Sequence, residues 1–188
     1  VTVIAIDPGV HRCACAALED GRLVEAWYET ARTFKRGADM ADPARITLAE
    51  CHLRGAVAIV VERPQYDGRS RTARAQDLMG LCWHGALLAG EFAGRDGAPV
   101  VAVTPSEWKG TEPKPQHHAR LWRELDAEER RVLGGDATGK MIAAAVQKGA
   151  LTRWSRPGAA YYPRAWTTHN LLDAACLALW YVNRLEKR

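Results

Sequence analysis

The stretch VTVIAID, residues 1–7, is almost continuously apolar, rich in β-branched side chains, and closes on an aspartate. A run without polar alternation fits a strand buried on both faces of a sheet. Pro8-Gly9 then turns the chain. Cys13–Leu18 reads as a second strand, Glu19-Asp20-Gly21 as a tight turn carrying a D-G signal, and Leu23–Tyr28 as a third strand. Three strands joined by turns this short must form an antiparallel meander.

The next elements alternate. Asp42-Pro43 starts a helix, with Asp42 as N-cap and Pro43 in the first turn, running to about Leu53. AVAIVVE (56–62) is another doubly buried strand. Thr72–Phe92, rich in Ala and Leu, is a long helix, and Pro99–Val103 a short strand. This order implies parallel strands with crossover helices. Beyond Thr104-Pro105 the chain turns polar and basic. The pattern predicts a helix over about Gln116–Leu125, a break at Gly134–Thr138, a short helix over Gly139–Lys148 and an aromatic, basic loop over 152–166. From about Thr168 to Leu185 the residues are apolar nearly all round, which predicts a buried helix.

The composition bounds the function classes. With 188 residues, 47% hydrophobic and 26% charged, one domain can bury a full core. No run approaches the ~20 apolar residues of a membrane span, and no export signal opens the chain, so a cytoplasmic protein is expected. The five cysteines form no C-x-x-C pair and read as reduced thiols filling the core. The net charge of +4 is local: residues 105–165 carry 11 Lys and Arg against 7 Asp and Glu, while the rest balances at 15 against 15. A second excess lies at Arg63, Arg69, Arg71 and Arg74, opposed only by Asp67. Basic stretches on a neutral chain suit a polyanion, though a solvated surface would look the same.

Three carboxylates stand out. Asp7 closes the first strand and Glu62 the fourth. If those strands are parallel neighbours, both side chains meet at the carboxyl edge of the sheet, where ligand sites of α/β sheets lie. Two like charges there repel unless a cation sits between them. Asp173 interrupts the apolar helix LLDAACLALW, where an unpartnered carboxylate is costly. His169 and Asn170, four and three residues earlier, share its helix face. Hard oxygens with an imidazole suit Mg²⁺ or Mn²⁺ rather than structural zinc. Each carboxylate also has a plainer reading, as a turn residue, a strand end or a loop anchor.

IDPG (6–9) opening a meander, VVE (60–62) ending the fourth strand and H-N-x-x-D-A-A-x-L-A-L (169–179) on the last helix together resemble RuvC-type Holliday-junction resolvases of the RNase H-like nuclease superfamily. The resemblance spans about 1–125 and 168–183. It implies an α/β fold, a five-stranded mixed sheet with three antiparallel strands followed by two parallel ones, flanked by helices on both faces. It implies a metal-dependent, structure-selective DNA endonuclease, a crossover-junction endodeoxyribonuclease that works as a homodimer. Such an enzyme resolves four-way or other branched DNA by paired phosphodiester hydrolysis, leaving 5′-phosphate and 3′-hydroxyl ends. Two Mg²⁺ or Mn²⁺ ions per site would be held by Asp7, Glu62 and Asp173. The family's fourth position falls on Asn170. His169 is one residue off that register and is the favoured working group, as ligand or proton shuttle. Tyr66 matches, one residue displaced, an aromatic that inserts at the junction, beside Arg63, Arg69, Arg71 and Arg74. Lys109 and Lys114 lie near positions where lysines face the scissile phosphate. About forty residues, 126–166, are extra to the family core and read as an insertion in a single domain. The source expected is a bacterium or a phage.

Two decoys are set aside. GGDATGK (134–140) matches part of a phosphate-binding loop, but Met141 replaces the Mg²⁺-binding hydroxyl and no apolar strand precedes it, so no nucleotide cofactor is expected. A helix N-terminus capped by Asp136 fits better. His117-His118 read as surface residues, since neighbours on a helix point apart. The seven tryptophans read mostly as core. Competing functions are an RNA-processing nuclease of the same fold, an inactive nucleic-acid-binding module and a kinase-like ATPase. The last needs a second such domain and a second phosphate hairpin, which 188 residues do not supply.

Overall fold

In a computed structural model the described residues are 1–8, 12–30, 55–63, 99–151, 162–163 and 168–185. They contain five strands: β1 (Thr2–Pro8), β2 (Arg12–Glu19), β3 (Arg22–Thr30), β4 (Ala56–Glu62) and β5 (Val100–Val103). They form one sheet in the order β3-β2-β1-β4-β5. β1 pairs antiparallel with β2 and β2 with β3, whereas β1–β4 and β4–β5 are parallel. The expected mixed sheet is therefore present. The β2–β3 turn has positive φ at both Asp20 and Gly21, 48° and 80°, the backbone twist that a two-residue hairpin favours.

Both faces of the sheet are buried, which explains the unbroken apolar strands. Val3, Ala5, Ala14, Ala16, Ala58 and Val60 lie in one core with the last helix. Ile4, Ile6, Cys13, Cys15, Ile59 and Val61 form a second core on the opposite face. The helices expected at 42–53 and 72–92 lie outside the described residues.

Five helices are described: α1 (Pro105–Trp108), α2 (Lys114–Glu124), α3 (Ala127–Val132), α4 (Gly135–Leu151) and α5 (Thr168–Tyr181). α2 begins two residues before the sequence reading because Pro115 is accommodated in its first turn. The break expected at Gly134–Thr138 is narrower, and α4 is longer than Gly139–Lys148. Gly134 and Gly135, at φ 93° and 59°, turn the chain. The Thr138 hydroxyl then donates to the Leu133 carbonyl at 2.6 Å, tying the first turn of α4 to the end of α3. Asp136 sits inside that first turn rather than capping it. Gly139 has its own reason to be glycine, since a Cβ there would lie 2.8 Å from the Trp122 indole nitrogen. The glycines of GGDATGK thus serve a turn and a close packing contact.

Helix α5 is buried from Leu172 through Leu179 and packs on β1, β2 and β3 and against α2. Just past its end Arg184 ties it down: the guanidinium donates to Glu129 of α3 and to the Gly21 carbonyl in the β2–β3 turn. No described helix is long and apolar enough to cross a membrane. Cys13, Cys15 and Cys176 are buried and form no disulfide; Cys51 and Cys82 lie outside the described residues.

Candidate active site

Side chains on a strand alternate faces with period two. Val3 and Ala5 of β1 and Ala58 and Val60 of β4 face the core built around α5. Asp7 and Glu62 continue those two rows. The β1–β4 register pairs Ile6 with Val61, so Asp7 and Glu62 follow side by side at the carboxyl edge of two parallel strands. Asp173 enters from α5, packed over the same face, with only 4% of its surface exposed.

The electrostatics record how close the three are. Burial, then the charges of Glu62 and Asp173, push the Asp7 carboxyl well above the usual range. Burial also raises Glu62, opposed by Lys109 and by a hydrogen bond from Trp108. Asp173 goes the other way. Burial alone would raise it, but Lys114, His118 and Lys109 together hold it well below the carboxylate range. Two ammonium groups stand among the carboxylates: Lys114 Nζ is ion-paired with Asp173 Oδ2, and Lys109 Nζ lies 3.7 Å from Glu62 Oε2. Among the described residues no three His, Cys, Asp or Glu side chains converge as a ready-made metal cluster. The donor chemistry nevertheless fits a hard divalent cation: carboxylates from three elements share one edge, and their mutual repulsion calls for positive charge.

Searches by sequence find no matching protein-family model and no matching curated protein. Comparison of structures does find similar folds. Thermus thermophilus RuvC in complex with a Holliday junction substrate matches over 97% of this chain and 92% of its own, with a TM-score of 0.50 and 16% identity. The yeast mitochondrial Holliday junction resolvase Ydc2 matches over 97% of this chain and 79% of its own, with a TM-score of 0.52 and 12% identity. The chain has the RuvC-type resolvase fold. Within it, Asp7 and Glu62 end neighbouring parallel strands, and Asp173 is buried on the helix packed over the same sheet face.

The imidazoles are arranged differently from expectation. His169, at the start of α5, accepts from Lys114 Nζ at Nδ1, 3.1 Å away. It thus lies one lysine removed from Asp173. Asn170 is half-buried on the same turn. The imidazole that touches Asp173 is His118, whose Nε2 is 3.0 Å from Oδ1. Its Nδ1 is 2.8 Å from the Tyr162 hydroxyl. The surface assignment of His117-His118 is therefore overturned: both are buried in this RuvC-type fold. The two rings do point apart, but both directions lead inward. His117 meets Glu112 through Nδ1 at 3.2 Å and the edge of Trp108, whereas His118 meets Asp173. A signal was present, since His118, Leu121 and Leu125 fall at i, i+3 and i+7, one apolar stripe.

Burial drives His118 down to about 4 against the pull of Asp173, so at neutral pH it is uncharged and carries one N–H. An ionised carboxylate only accepts. Nε2 therefore holds the proton and donates to Asp173, and Tyr162 donates to Nδ1.

Trp108 was also missed. It is fully buried at the end of α1, and its indole N–H donates to Glu62 Oε2 at 2.9 Å. Lys109, next to it, approaches Glu62 and overlies the Trp108 ring at 4.9 Å. Arg63 is exposed just beyond β4. Tyr66, Arg69, Arg71 and Arg74 lie outside the described residues, as does most of 152–166.

Proposed function

We propose that this chain is a metal-dependent, structure-selective endonuclease that cuts branched DNA, four-way junctions first among them, as a homodimer with one site per protomer. The observation that carries this reading is the meeting of Asp7, Glu62 and Asp173 on one face of a RuvC-type sheet. Asp7, Glu62 and Asp173 would hold Mg²⁺ or Mn²⁺, which when bound supplies an activated water and stabilises the leaving oxygen.

The chain's own groups do the rest. Lys109 and Lys114 set positive charge beside the carboxylates. Both have half-buried side chains that can turn from a carboxylate to a phosphate oxygen and stabilise charge developing there. His169 accepts from Lys114 at Nδ1 and so steadies that ammonium. Trp108 holds one oxygen of Glu62, leaving the other for the cation. Water attack at phosphorus with loss of the 3′ oxygen leaves a 5′-phosphate and a 3′-hydroxyl. Arg63, with Arg69, Arg71 and Arg74, provides the basic stretch for backbone phosphates, and Tyr66 a surface for a splayed base. Paired cuts follow from two-fold symmetry of the protein matching that of the junction.

The test is substitution of each acid by its amide. Asp7→Asn, Glu62→Gln and Asp173→Asn should each abolish cleavage of a labelled four-way junction while gel-shift binding persists. Undiminished cutting by all three would overturn the site.

A further inference from the structure

The two oxygens of Asp173 are held in different ways. Oδ2 faces Lys114, a flexible and half-buried side chain whose ammonium a competing cation can displace. Oδ1 faces His118, a ring with no exposed surface, whose other nitrogen is engaged by Tyr162. Tyr162 is itself buried, 8% exposed, and its ring also stacks on His169, with centroids 5.7 Å apart and planes 10° apart.

We propose that His118 and Tyr162 form a positioning pair for Asp173: they fix its Oδ1 and thereby aim Oδ2 at the cation position. This rests on the reading of Asp173 as a cation ligand. The geometry separates the tasks. A carboxylate hydrogen-bonded at one oxygen to a fixed ring cannot swing freely about its Cβ–Cγ bond, so the second oxygen is presented in one orientation. His118 comes from α2 and Tyr162 from the segment just ahead of α5, 44 residues along the chain. The pair therefore couples the tail of residues 126–166 to the reacting centre. It gives that tail a task inside the protein, independent of any contact it makes with DNA.

The experiment uses the full chain, with calorimetric titration of Mn²⁺ alone alongside steady-state cleavage of a four-way junction. His118→Ala should weaken Mn²⁺ binding and lower kcat by about 10–100-fold, the usual cost of removing such an outer partner, with KM unchanged. His118→Gln, whose amide nitrogen reaches the same place as Nε2, should recover most of that loss. Tyr162→Phe keeps the ring and removes the hydroxyl, and should lose roughly 3–10-fold in both readouts. Circular dichroism and thermal melting establish folding; if His118→Ala does not fold, the Gln and Phe variants decide. Parent-like Mn²⁺ affinity in His118→Ala, or in both Gln and Phe variants when Ala is unfolded, would overturn the pair, as would Gln being no better than a folded Ala. Asp173→Asn in the same titration separates the two failures. Mn²⁺ binding that survives Asp173→Asn removes the ligand reading itself. Binding lost in Asp173→Asn but intact in the His118 and Tyr162 variants removes only the positioning.

Discussion

Glu129 offers a stability test of the frame that carries Asp173. It is 2% exposed on α3 and accepts four hydrogen bonds: from Arg184 Nη1 at 2.6 Å and Nη2 at 3.1 Å, and from the backbone N–H groups of Leu23 and Asp126, each at 2.9 Å. Glu129→Ala removes all four. The buried Leu23 N–H then lacks its acceptor, which costs about 1–3 kcal/mol. The ion pair adds about 1 kcal/mol, the upper end for pairs near water, because Arg184 is part-exposed and keeps the carbonyls of Gly21 and Glu124. Together the loss is about 2–4 kcal/mol, or roughly 5–15 °C in Tm for a chain of this size.

The pH dependence has a definite sign. Burial raises the Glu129 carboxyl, but Arg184 and the two backbone donors outweigh it and set the group below its ordinary value of 4.5. Its stabilisation is complete above that ordinary value and is lost as pH falls through the lower folded one. The difference between the parent and Glu129→Gln should be constant above the ordinary value and shrink under acid. Urea unfolding followed by circular dichroism reads both effects. A Glu129→Ala midpoint corresponding to under about 1 kcal/mol of loss would refute the reasoning.

Other outcomes follow from the same geometry. Asp7→Asn removes a carboxyl whose ionised form is opposed first by burial and then by Glu62 and Asp173, so the metal-free protein should melt about 2–4 °C higher even as cleavage is lost, equivalent to about 1 kcal/mol; a lower Tm would contradict that balance. Added Mn²⁺ should raise the Tm of the parent and not that of Asp7→Asn, measured by scanning fluorimetry. Gly134→Ala should cost about 1–2 kcal/mol in urea unfolding, because φ is 93° and a Cβ would meet the Thr138 hydroxyl at 2.9 Å. Gly135→Ala, with open space around it, should cost less. Junction affinity should fall at least about tenfold between roughly 50 and 200 mM salt, since several phosphates are neutralised; a flat salt response would remove the polyanion reading.

The sheet was legible because its signals are local. AVAIVVE is a strand over its whole length, and the D-G turn forces β2 and β3 into a hairpin. Asp7 and Glu62 were legible for a related reason. Each ends a run whose alternation, once the strands are parallel neighbours, leaves no freedom about which face it takes. Asp173 declared itself as a lone charge in an apolar helix. His118 and Trp108 did not, because their roles come from contacts 55 and 46 residues away in sequence. The pattern at His118, Leu121 and Leu125 marks a buried face but cannot say that a carboxylate waits beneath it. The favoured His169 shares Asp173's helix, yet helix spacing alone did not reveal that Lys114 stands between them. The break read over Gly134–Thr138 shrinks to the turn at Gly134 and Gly135, because Thr138 bonds back to Leu133 within the first turn of α4 and Gly139 leaves room for the Trp122 indole.

The most direct test of the central claim is cleavage of an end-labelled four-way DNA junction, run beside linear duplex, a three-way branch and an RNA hairpin, each with Mg²⁺, Mn²⁺ or chelator. The account predicts paired, symmetric nicks in the junction only when metal is present, bearing 5′-phosphates that ligase reseals. Cutting of RNA alone, or junction binding without cutting in either metal, would contradict it.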